Sequence, residues 1–418
     1  MTFTKRTTCR ISGEPLTELF SLGKLYVSDF LLPEDISNTE DKVELTLCLA
    51  PKSELIQLNC TADLDKMYAR RYWYRSGTNN SMTNELHDIV NSVLQIMPLE
   101  QGDYWLDIGC NDGTLFKFIP EQVKKIGFDP CKENCLEARS QDAIIVNDYF
   151  NAKTFGKVAS KKAKIITSIA MMYDLEDPHK FIDDIHEILD IDGIWVIQVS
   201  YLPLMLHQLA FDNICHEHLE YYTLKVLKRL LESHDFEIMD FRINDTNGGS
   251  CRLYVQHKTC NHKKFSTAPF RDVAKFRIDA ALIHENTLHL SEENTYIEFF
   301  KKIQQLRQQT LGFINDIRSK GKTVWGYGAS TKGNTLLQYF GMNKEHIGAI
   351  AERQAAKWGR KTIGSEIPIK SETEFRETAP DYLLILPWHF VNEFRQREHD
   401  YLMKGGKFIL PCPQFEII

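Results

Sequence analysis

The pattern of apolar and polar positions divides the chain into three stretches. Up to about residue 70, short alternating runs such as 43–47 and 55–58 lie between turn residues, which is typical of a small β-rich unit. From about 84 to 255, apolar runs alternate with helical periodicity. Strands that alternate with helices predict a parallel, doubly wound sheet. The predicted strands are 103–109, 124–129, 163–169 and 193–199, with a helix at 179–189 and a loop after the last strand.

The last third of the chain begins with a helical pattern. Between about 270 and 320, apolar residues recur at near-helical spacing, which predicts a long amphipathic helix that joins two lobes. Its apolar positions are Ile297, Phe300, Ile303, Leu306, Phe313 and Ile317. Four apolar runs follow, at 322–328, 347–352, 380–387 and 406–410. We therefore predict an α/β protein with a small β-rich domain at 1–80, a Rossmann-like domain at 81–300 and a second Rossmann-like domain at 301–418.

Composition and charge narrow the class of protein. The 418 residues are 43% hydrophobic and 26% charged, as in ordinary globular domains, and their net charge of -7 includes no basic stripe, so nucleic acid is not expected as a partner. The apolar stretch 194–211 holds too many polar residues for a bilayer span, and the first residues lack the apolar core of a signal peptide. Ten cysteines are too few for a disulfide framework. We expect a cytoplasmic protein with reduced thiols and no membrane partner.

A glycine-containing loop follows the first predicted strand of the central stretch. Gly109 and Gly113 stand where this strand turns into a helix, so that backbone amides can approach a ligand. Asp129 ends the next strand, where a carboxylate binds ribose hydroxyls. The spacing differs from G-x-G-x-x-G, and acidic residues in the loop suit a cation better than a pyrophosphate. These features favour S-adenosylmethionine, and a structural turn is the alternative. The predicted cofactor contacts are Asp107, Gly109, Asn111, Asp112, Gly113, Asp129 and Asp148.

Several segments together resemble the three-domain C-methyltransferases that act on nucleotide-linked keto-deoxysugars in antibiotic and surface-polysaccharide pathways. The resemblance runs over nearly the whole chain, and its most specific segment is Gly-Tyr-Gly-Ala-Ser-Thr-Lys-Gly-Asn at 326–334. The other segments are 72–77, 107–113, 215–218 and 247–250. The resemblance implies an N-terminal zinc-binding domain, a central methyltransferase domain and a C-terminal domain that helps to hold the nucleotide sugar.

One departure from this family concerns the zinc site. Relatives carry two pairs of cysteines at metal-ligand spacing, whereas here Cys9 is followed by Ser12, and Cys48 by Ser53. Serine is a poor zinc ligand. We therefore predict no metal site, in a domain that keeps its shape with zinc lost or weakened.

The chemistry of the family requires a base. Methylation of a carbon beside a ketone requires removal of its proton, stabilisation of the enolate oxygen and alignment with the methyl donor. His216, Glu217 and His218 supply two imidazoles and a carboxylate, and in an extended segment both histidines would lie on one side. The family resemblance implies that His218 is the general base, with Glu217 and His216 orienting it or contacting the sugar. Two structural histidines or a metal pair are the alternatives.

A second departure lies beside these residues. Relatives commonly carry a tyrosine where this chain has Cys215. Tyr74 and Tyr222 are the candidates that replace it as proton donor, with simple packing as the alternative for each. Some relatives also have a histidine within the segment that corresponds to 170–174, so the reacting carbon or the sugar ring is expected to differ here.

Two more glycine-containing segments are assigned to the substrate. Residues 326–334 combine a strand, a glycine-rich loop and a helix start, which is an anion site suited to a pyrophosphate or nucleotide. Glu352 ends the next strand and is a candidate for binding the substrate ribose, or else forms a surface ion pair. The segment 247–252 approaches a ligand or forms a hairpin turn. The predicted substrate contacts are Asn247, Gly249, Arg252, Gly328, Ser330, Lys332, Asn334 and Glu352.

The predicted function is transfer of a methyl group from S-adenosylmethionine to a carbon α to the keto group of a nucleotide-diphosphate hexose, expected at C3 of a 4-keto sugar. The reaction passes through an enolate, and the enzyme is expected as a monomer or homodimer. Alternatives are methyl transfer to an oxygen or nitrogen of a sugar, a relative that binds these ligands without turnover, and a nicotinamide dehydrogenase, which the loop spacing matches less well.

Overall fold

The structure, a computed structural model, describes residues 3–70, 72–260 and 270–418. Residues 1, 2, 71 and 261–269 fall within the predicted domains but lie outside the described residues. Three sheets, here called the N-terminal, central and C-terminal sheets, organise the described chain. The predicted α/β class with a Rossmann-like centre is confirmed. No helix in the described ranges is both long enough and apolar enough to cross a bilayer.

The central sheet has seven strands and is parallel except at one position. Ser250–His257 runs antiparallel to both of its neighbours. Side chains on the two faces of the sheet belong to two separate hydrophobic clusters. Trp105 packs with helix Asn80–Ile96 on one face, and Leu106 packs with helix Pro178–Ile188 on the other. The strands, in spatial order, are Phe236–Asn244, Ser250–His257, Leu189–Ser200, Ala163–Ile169, Tyr104–Ile108, Lys124–Phe128 and Ile144–Val146. The other helices of this region are Lys132–Ala138, Ala152–Val158, Leu202–His207, Leu224–Glu232 and Phe270–Thr287.

The prediction of a loop after the fourth strand was wrong. The strand extends over Leu189–Ser200, and helix Leu202–His207 follows it. Pro203 lies in the first turn of this helix, where its missing N–H has no intrahelical partner to lose. The proline that indicated a break therefore marks a helix start.

The C-terminal sheet has six strands, five of them parallel and the last antiparallel. Its two edge strands, Ile369–Ser371 and Glu416–Ile417, were not predicted. The strands, in spatial order, are Ile369–Ser371, Ile350–Glu352, Val324–Tyr327, Tyr382–Ile385, Lys407–Leu410 and Glu416–Ile417. The helices of this region are Thr331–Phe340, Glu372–Thr378, Val391–Arg397 and His399–Met403.

The predicted long linking helix is two helices. Phe270–Thr287 and Glu293–Ser319 are separated by a turn in which His289 has a positive φ of 52°. The second helix buries Ile303, Leu306 and Ile317 as predicted, whereas Ile297 is 40% exposed. This helix packs on the N-terminal sheet, where the rings of Phe20 and Phe300 stack at 4.5 Å.

The N-terminal sheet is completed by a strand from the central region. Its antiparallel order is Glu220–Tyr221, Ile56–Leu58, Lys42–Leu49 and Thr17–Tyr26. Two small strand pairs accompany it: Phe3–Lys5 pairs with Cys60–Ala62, and Phe30–Leu31 pairs with Lys361–Thr362. Backbone pairing therefore joins the N-terminal segment to both of the other regions.

A carboxylate joins the two turns in which relatives carry zinc ligands. Glu14 accepts hydrogen bonds from the N–H groups of Ser53 at 2.7 Å and Lys52 at 2.8 Å, and from the Ser12 hydroxyl at 2.8 Å. Cys9 Sγ lies 3.4 Å from Ser53 Oγ. Within the described chain, no group of three or more His, Cys, Asp or Glu residues is arranged to hold a metal ion.

We expect Glu14→Gln to lower the free energy of unfolding by about 1–3 kcal/mol, because the N–H groups of Lys52 and Ser53 lose a charged acceptor. Burial raises the pKa of Glu14, but the hydrogen bonds from Ser53 and Lys52 outweigh it and hold the pKa below 4.5. The advantage of the wild type is therefore present above pH 4.5 and lost as the pH falls through the lower folded value. Urea denaturation near neutral pH and at about pH 3 measures it. Exposed Glu34→Gln is the control, and equal stability of the Glu14 variant at neutral pH would contradict the prediction.

Candidate active site

A cavity of about 360 Å³ lies where the three sheets meet. One wall comes from Leu64, Tyr68 and the segment 72–74, and a second from loops at the carboxyl ends of the central strands. Residues 329–332 and 387–390 of the C-terminal region form a third wall. Ligands of open parallel α/β sheets bind at this end of the strands. The cavity therefore occupies the position where both α/β regions can contact one ligand.

The loop after strand Tyr104–Ile108 closes one end of the cavity. Gly109 and Asn111 have positive φ angles of 72° and 51°, and a Cβ on Gly109 would lie 3.4 Å from Met171. The Asp129 carboxylate accepts the N–H groups of Asn111 at 3.0 Å and Cys131 at 2.8 Å, and so fixes the loop. Burial raises the pKa of Asp129 in spite of these hydrogen bonds.

Five of the seven predicted cofactor contacts line this end of the cavity: Asp107, Gly109, Asn111, Asp129 and Asp148. Burial raises the pKa of Asp107 to about 7, although its carboxylate accepts the Thr167 hydroxyl at 2.6 Å. The structure places Asp112 and Gly113 behind the lining. Asp112 accepts the Gly77 N–H at 2.8 Å, and Gly113 packs so closely that a Cβ there would lie 2.9 Å from the backbone of Ala138. Both residues therefore contribute to the shape of the loop.

His218 lines the cavity and has a defined tautomer. Its Nδ1 is 3.0 Å from the Asn213 carbonyl oxygen, which only accepts, so Nδ1 carries the proton and Nε2 has a free lone pair. The ring packs on Tyr173 with centroids 4.4 Å apart. Burial and the nearby charge of Lys332 lower the pKa of His218 to about 3. The imidazole is therefore neutral at physiological pH and can accept a proton at Nε2.

The neighbours of His218 do not share its position. Residues 215–218 form a turn in which the His218 N–H donates to the Cys215 carbonyl, so the condition of an extended segment, under which both histidines would lie on one side, is not met. Glu217 and His218 line the cavity, whereas His216 lies outside it with Nε2 3.0 Å from the Val43 carbonyl oxygen. The structure thus gives His216 a contact with the N-terminal sheet in place of the predicted catalytic position.

Several tyrosines line the cavity, and the segment that carries Tyr74 is hydrogen-bonded to the glycine loop, because the Asn111 side chain donates to the Tyr74 carbonyl at 3.2 Å. The hydroxyl of Tyr74 is buried without a hydrogen-bond partner among the described residues, and burial raises its pKa. Tyr222 is fully buried outside the cavity, so its predicted role as a donor has no geometric support. Tyr68 and Tyr72 line the cavity but were not assigned roles from the sequence. Their spacing from Tyr74 in the segment 68–74 was the signal that could have indicated them.

Comparisons with known proteins match both α/β regions of this chain. Residues 79–240 match the family model of a methyltransferase domain, and residues 245–413 match that of a C-methyltransferase C-terminal domain. The C-methyltransferase NovU of Streptomyces niveus is 27% identical over 415 residues, which cover 98% of this chain and 96% of that protein. The chain is an S-adenosylmethionine-dependent C-methyltransferase.

Solved structures that resemble part of the methyltransferase were also found. Magnesium protoporphyrin IX methyltransferase (ChlM) of Synechocystis PCC 6803 with bound SAH has a TM-score of 0.35 and 13% identity, and covers 42% of this chain and 87% of that chain. The YcgJ protein of Bacillus subtilis has a TM-score of 0.33 and 13% identity, and covers 40% of this chain and 97% of that chain.

The glycine-loop end of the cavity fits the cofactor of the methyltransferase. Asp107 and Asp129 are buried carboxylates that would gain from a cationic ligand, and Gly109 presents backbone where a side chain would fill the space. When bound, S-adenosylmethionine supplies an electrophilic methyl group on a sulfonium. The predicted enzyme class and cofactor are confirmed.

The substrate contacts predicted for the methyltransferase divide into two groups. Asn247, Ser330 and Lys332 line the cavity, and the Lys332 ammonium donates to the Asn247 carbonyl at 3.0 Å. The other five lie outside the lining and serve packing or fixed hydrogen bonds. Gly249 and Gly328 allow close packing against Leu204 and Pro387, Arg252 pairs with Glu85 and Asp88, Asn334 donates to Ser28 and Asp29, and Glu352 accepts from Ala329 and Gln354.

Two carboxyl groups of the cavity wall, those of Asp174 and Glu217, interact electrostatically, and the sequence did not indicate this pair. Burial raises the pKa of Glu217 to about 7, and burial together with Glu217 raises the pKa of Asp174 well above its ordinary value. One oxygen of each carboxyl group lacks a hydrogen-bond partner in the part of the chain that the structure describes. The wall beside His218 therefore carries a Glu217 carboxyl group that is mostly protonated at mildly acidic pH.

Glu217 should make the stability of the methyltransferase depend on pH. Because its folded pKa is about 7 and its ordinary value is 4.5, unfolding releases a proton between these values. We expect the free energy of unfolding of the wild type, relative to Glu217→Gln, to fall as the pH rises from 4.5 to about 7 and then to level off. Urea denaturation at several pH values measures this. Exposed Glu237→Gln should run parallel to the wild type, and a parallel curve for Glu217→Gln would disprove the assignment.

Proposed function

We propose that the enzyme methylates a carbon α to the keto group of a nucleotide-diphosphate hexose, at C3 of a 4-keto sugar, through a base-generated enolate. The observation that carries this proposal is His218. Its Nδ1 is committed to the Asn213 carbonyl, and its free Nε2 belongs to a cavity wall between the Asp129 loop and Lys332. A methyl acceptor carbon that must first lose a proton requires a base of this kind, whereas transfer to oxygen or nitrogen of a sugar does not require an enolate.

We assign a separate function to each wall of the cavity. The central sheet binds the cofactor at Asp107 and Asp129, and it supplies His218 as the base. Lys332, at the start of helix Thr331–Phe340, and Lys357, whose ammonium donates to the Ala329 carbonyl at 2.8 Å, provide positive charge for the pyrophosphate of the nucleotide sugar. We assign these functions to the predicted domains 81–300 and 301–418, with 1–80 covering the cavity.

The substrate side also stabilises the charge that forms on oxygen. The Lys332 ammonium is buried beside the cavity, and the neutral Tyr74 hydroxyl has no partner within the described ranges. Both are donors from which an enolate oxygen can accept a hydrogen bond. NovU, a C-methyltransferase by name, supports transfer to carbon.

A mass-spectrometric screen of nucleotide-linked keto sugars with labelled S-adenosylmethionine tests the proposal. The expected product carries one labelled methyl group on the carbon beside the ketone. Without the cofactor, solvent deuterium should enter the same carbon. Label on an oxygen or nitrogen, or tight binding of both ligands without product, would contradict the proposed function.

A further inference from the structure

A second imidazole lines the cavity from the C-terminal region, in a segment that matches no motif. His389 follows strand Tyr382–Ile385 in the turn Trp388–Phe390. This turn is fixed against the central region, because the Trp388 indole N–H donates to Asp212 at 3.2 Å and a Cβ on Gly248 would lie 3.4 Å from the Trp388 ring. The position of His389 is thus set by packing on both sides of the cavity.

The surroundings of His389 favour one tautomer. Its Nδ1 is buried and has no hydrogen-bond partner among the described residues, while the ring as a whole stays partly exposed. A buried N–H without an acceptor is rarer and more costly than a buried acceptor without a donor. The ring proton therefore belongs on Nε2, the nitrogen that a ligand in the cavity can reach. His218 has the opposite tautomer, with its proton on Nδ1.

Charge keeps both rings neutral. Burial and the charge of Lys332 lower the pKa of His389 well below its ordinary value, and the same two causes lower that of His218. Lys332 itself interacts with Asp212 and Cys215. One side chain therefore acts on two imidazoles, one from each α/β region, and favours the neutral form of both. The different surroundings of their Nδ1 atoms make His218 a proton acceptor and His389 a donor at Nε2.

We propose that His389 is a catalytic residue that donates a hydrogen bond from Nε2 to the keto oxygen of the substrate. This inference rests on the proposed function. As the C–H bond beside the ketone breaks, the proton moves to His218 Nε2 and the electron pair moves to the oxygen that His389 holds. The pair then returns to form the C–C bond while the bond between sulfur and methyl breaks. His389 keeps its own proton throughout, and His218 releases the acquired proton to solvent.

Removal of this donor should slow the chemistry and leave binding intact. His389→Phe keeps the aromatic packing with Phe390 and Trp388, whose ring centroids lie 4.2 and 5.6 Å from that of His389. We expect kcat to fall by about 10²–10³-fold with little change in KM, and deuterium entry without the cofactor to fall by a similar factor. His389→Gln, which keeps an N–H near the position of Nε2, should recover part of the loss. His399→Phe, on an exposed histidine of the same region, is the matched control.

The outcomes separate this inference from the proposed function. Wild-type kcat and deuterium entry in His389→Phe, or a raised KM with unchanged kcat, would overturn the role of His389. If His389→Phe does not fold, His389→Gln decides the question. Activity as low as that of His218→Ala would overturn the role of His389, and partial activity would support it. If the wild type itself turns over no keto sugar, the proposed function fails, and ¹⁵N-histidine spectra still decide the tautomer. A proton on Nε2 of His389 supports the inference, and a proton on Nδ1 overturns it.

Discussion

Replacing His218 with alanine is expected to lower kcat for methyl transfer by about 10²–10⁴-fold, because it removes the imidazole lone pair that faces the substrate. The Asn213 carbonyl fixes the proton of His218 on Nδ1, so no rotation of the ring is needed to present Nε2. Entry of solvent deuterium into the carbon beside the ketone should be lost together with methyl transfer. Both are measured by mass spectrometry of the recovered nucleotide sugar.

The binding of ligands should survive this substitution. Calorimetric titration with S-adenosylmethionine should give the same affinity for His218→Ala as for the wild type, since the Asp129 loop is unchanged. His207→Ala, on an exposed histidine of helix Leu202–His207, controls for the general effect of losing an imidazole. A His218 variant that still exchanges deuterium at the wild-type rate would show that another group removes the proton.

Asp129→Ala is expected to weaken S-adenosylmethionine binding by about 10- to 100-fold, which corresponds to the loss of one or two charged hydrogen bonds. The carboxylate holds the N–H groups of Asn111 and Cys131, so its removal frees the glycine loop and takes away the contact that we propose for the cofactor. Calorimetry at fixed salt concentration measures the change. The affinity of Asp129→Asn, which keeps one acceptor oxygen, should lie between those of the wild type and Asp129→Ala.

The chain contains its own matched control for this loop. Glu352 lies in the C-terminal sheet where Asp129 lies in the central sheet. It ends strand Ile350–Glu352, which is next to the first strand of that sheet, Val324–Tyr327. Its carboxylate accepts the Ala329 N–H at 2.7 Å and the Gln354 N–H at 2.8 Å. Glu352→Ala should disturb its own loop and leave S-adenosylmethionine affinity at the wild-type value. Equal losses in both variants would mean that the effect is one of general stability.

The sequence predicted the central strands and the glycine loop, because these features depend on residues close together in the chain. The runs that became strands Tyr104–Ile108 and Ala163–Ile169 are buried on both faces, so their apolar character is visible without a partner. The glycine loop and Asp129 could be located because glycines directly follow one apolar run and an aspartate directly follows the next. The role of His218 came from the family resemblance, and its fixed tautomer depends on a carbonyl group that no side-chain pattern records.

Contacts between distant segments could not be predicted in this way. Arg252 was expected to contact an anion, but Glu85 and Asp88 on a distant helix neutralise it. Asn334 and Glu352 lie in the expected segments, yet their polar groups are used within the fold. His389 belongs to no motif, and only the meeting of three sheets places it in the same cavity as His218.

The edge strand Glu220–Tyr221 has a consequence for how the chain reaches its fold. It pairs with Ile56–Leu58, and Lys361–Thr362 pairs with Phe30–Leu31, so the N-terminal sheet region depends on residues that leave the ribosome much later. Pairings between such distant segments close large loops and slow folding. The strand pairs of this region therefore cannot all form until Lys361–Thr362 has been synthesised.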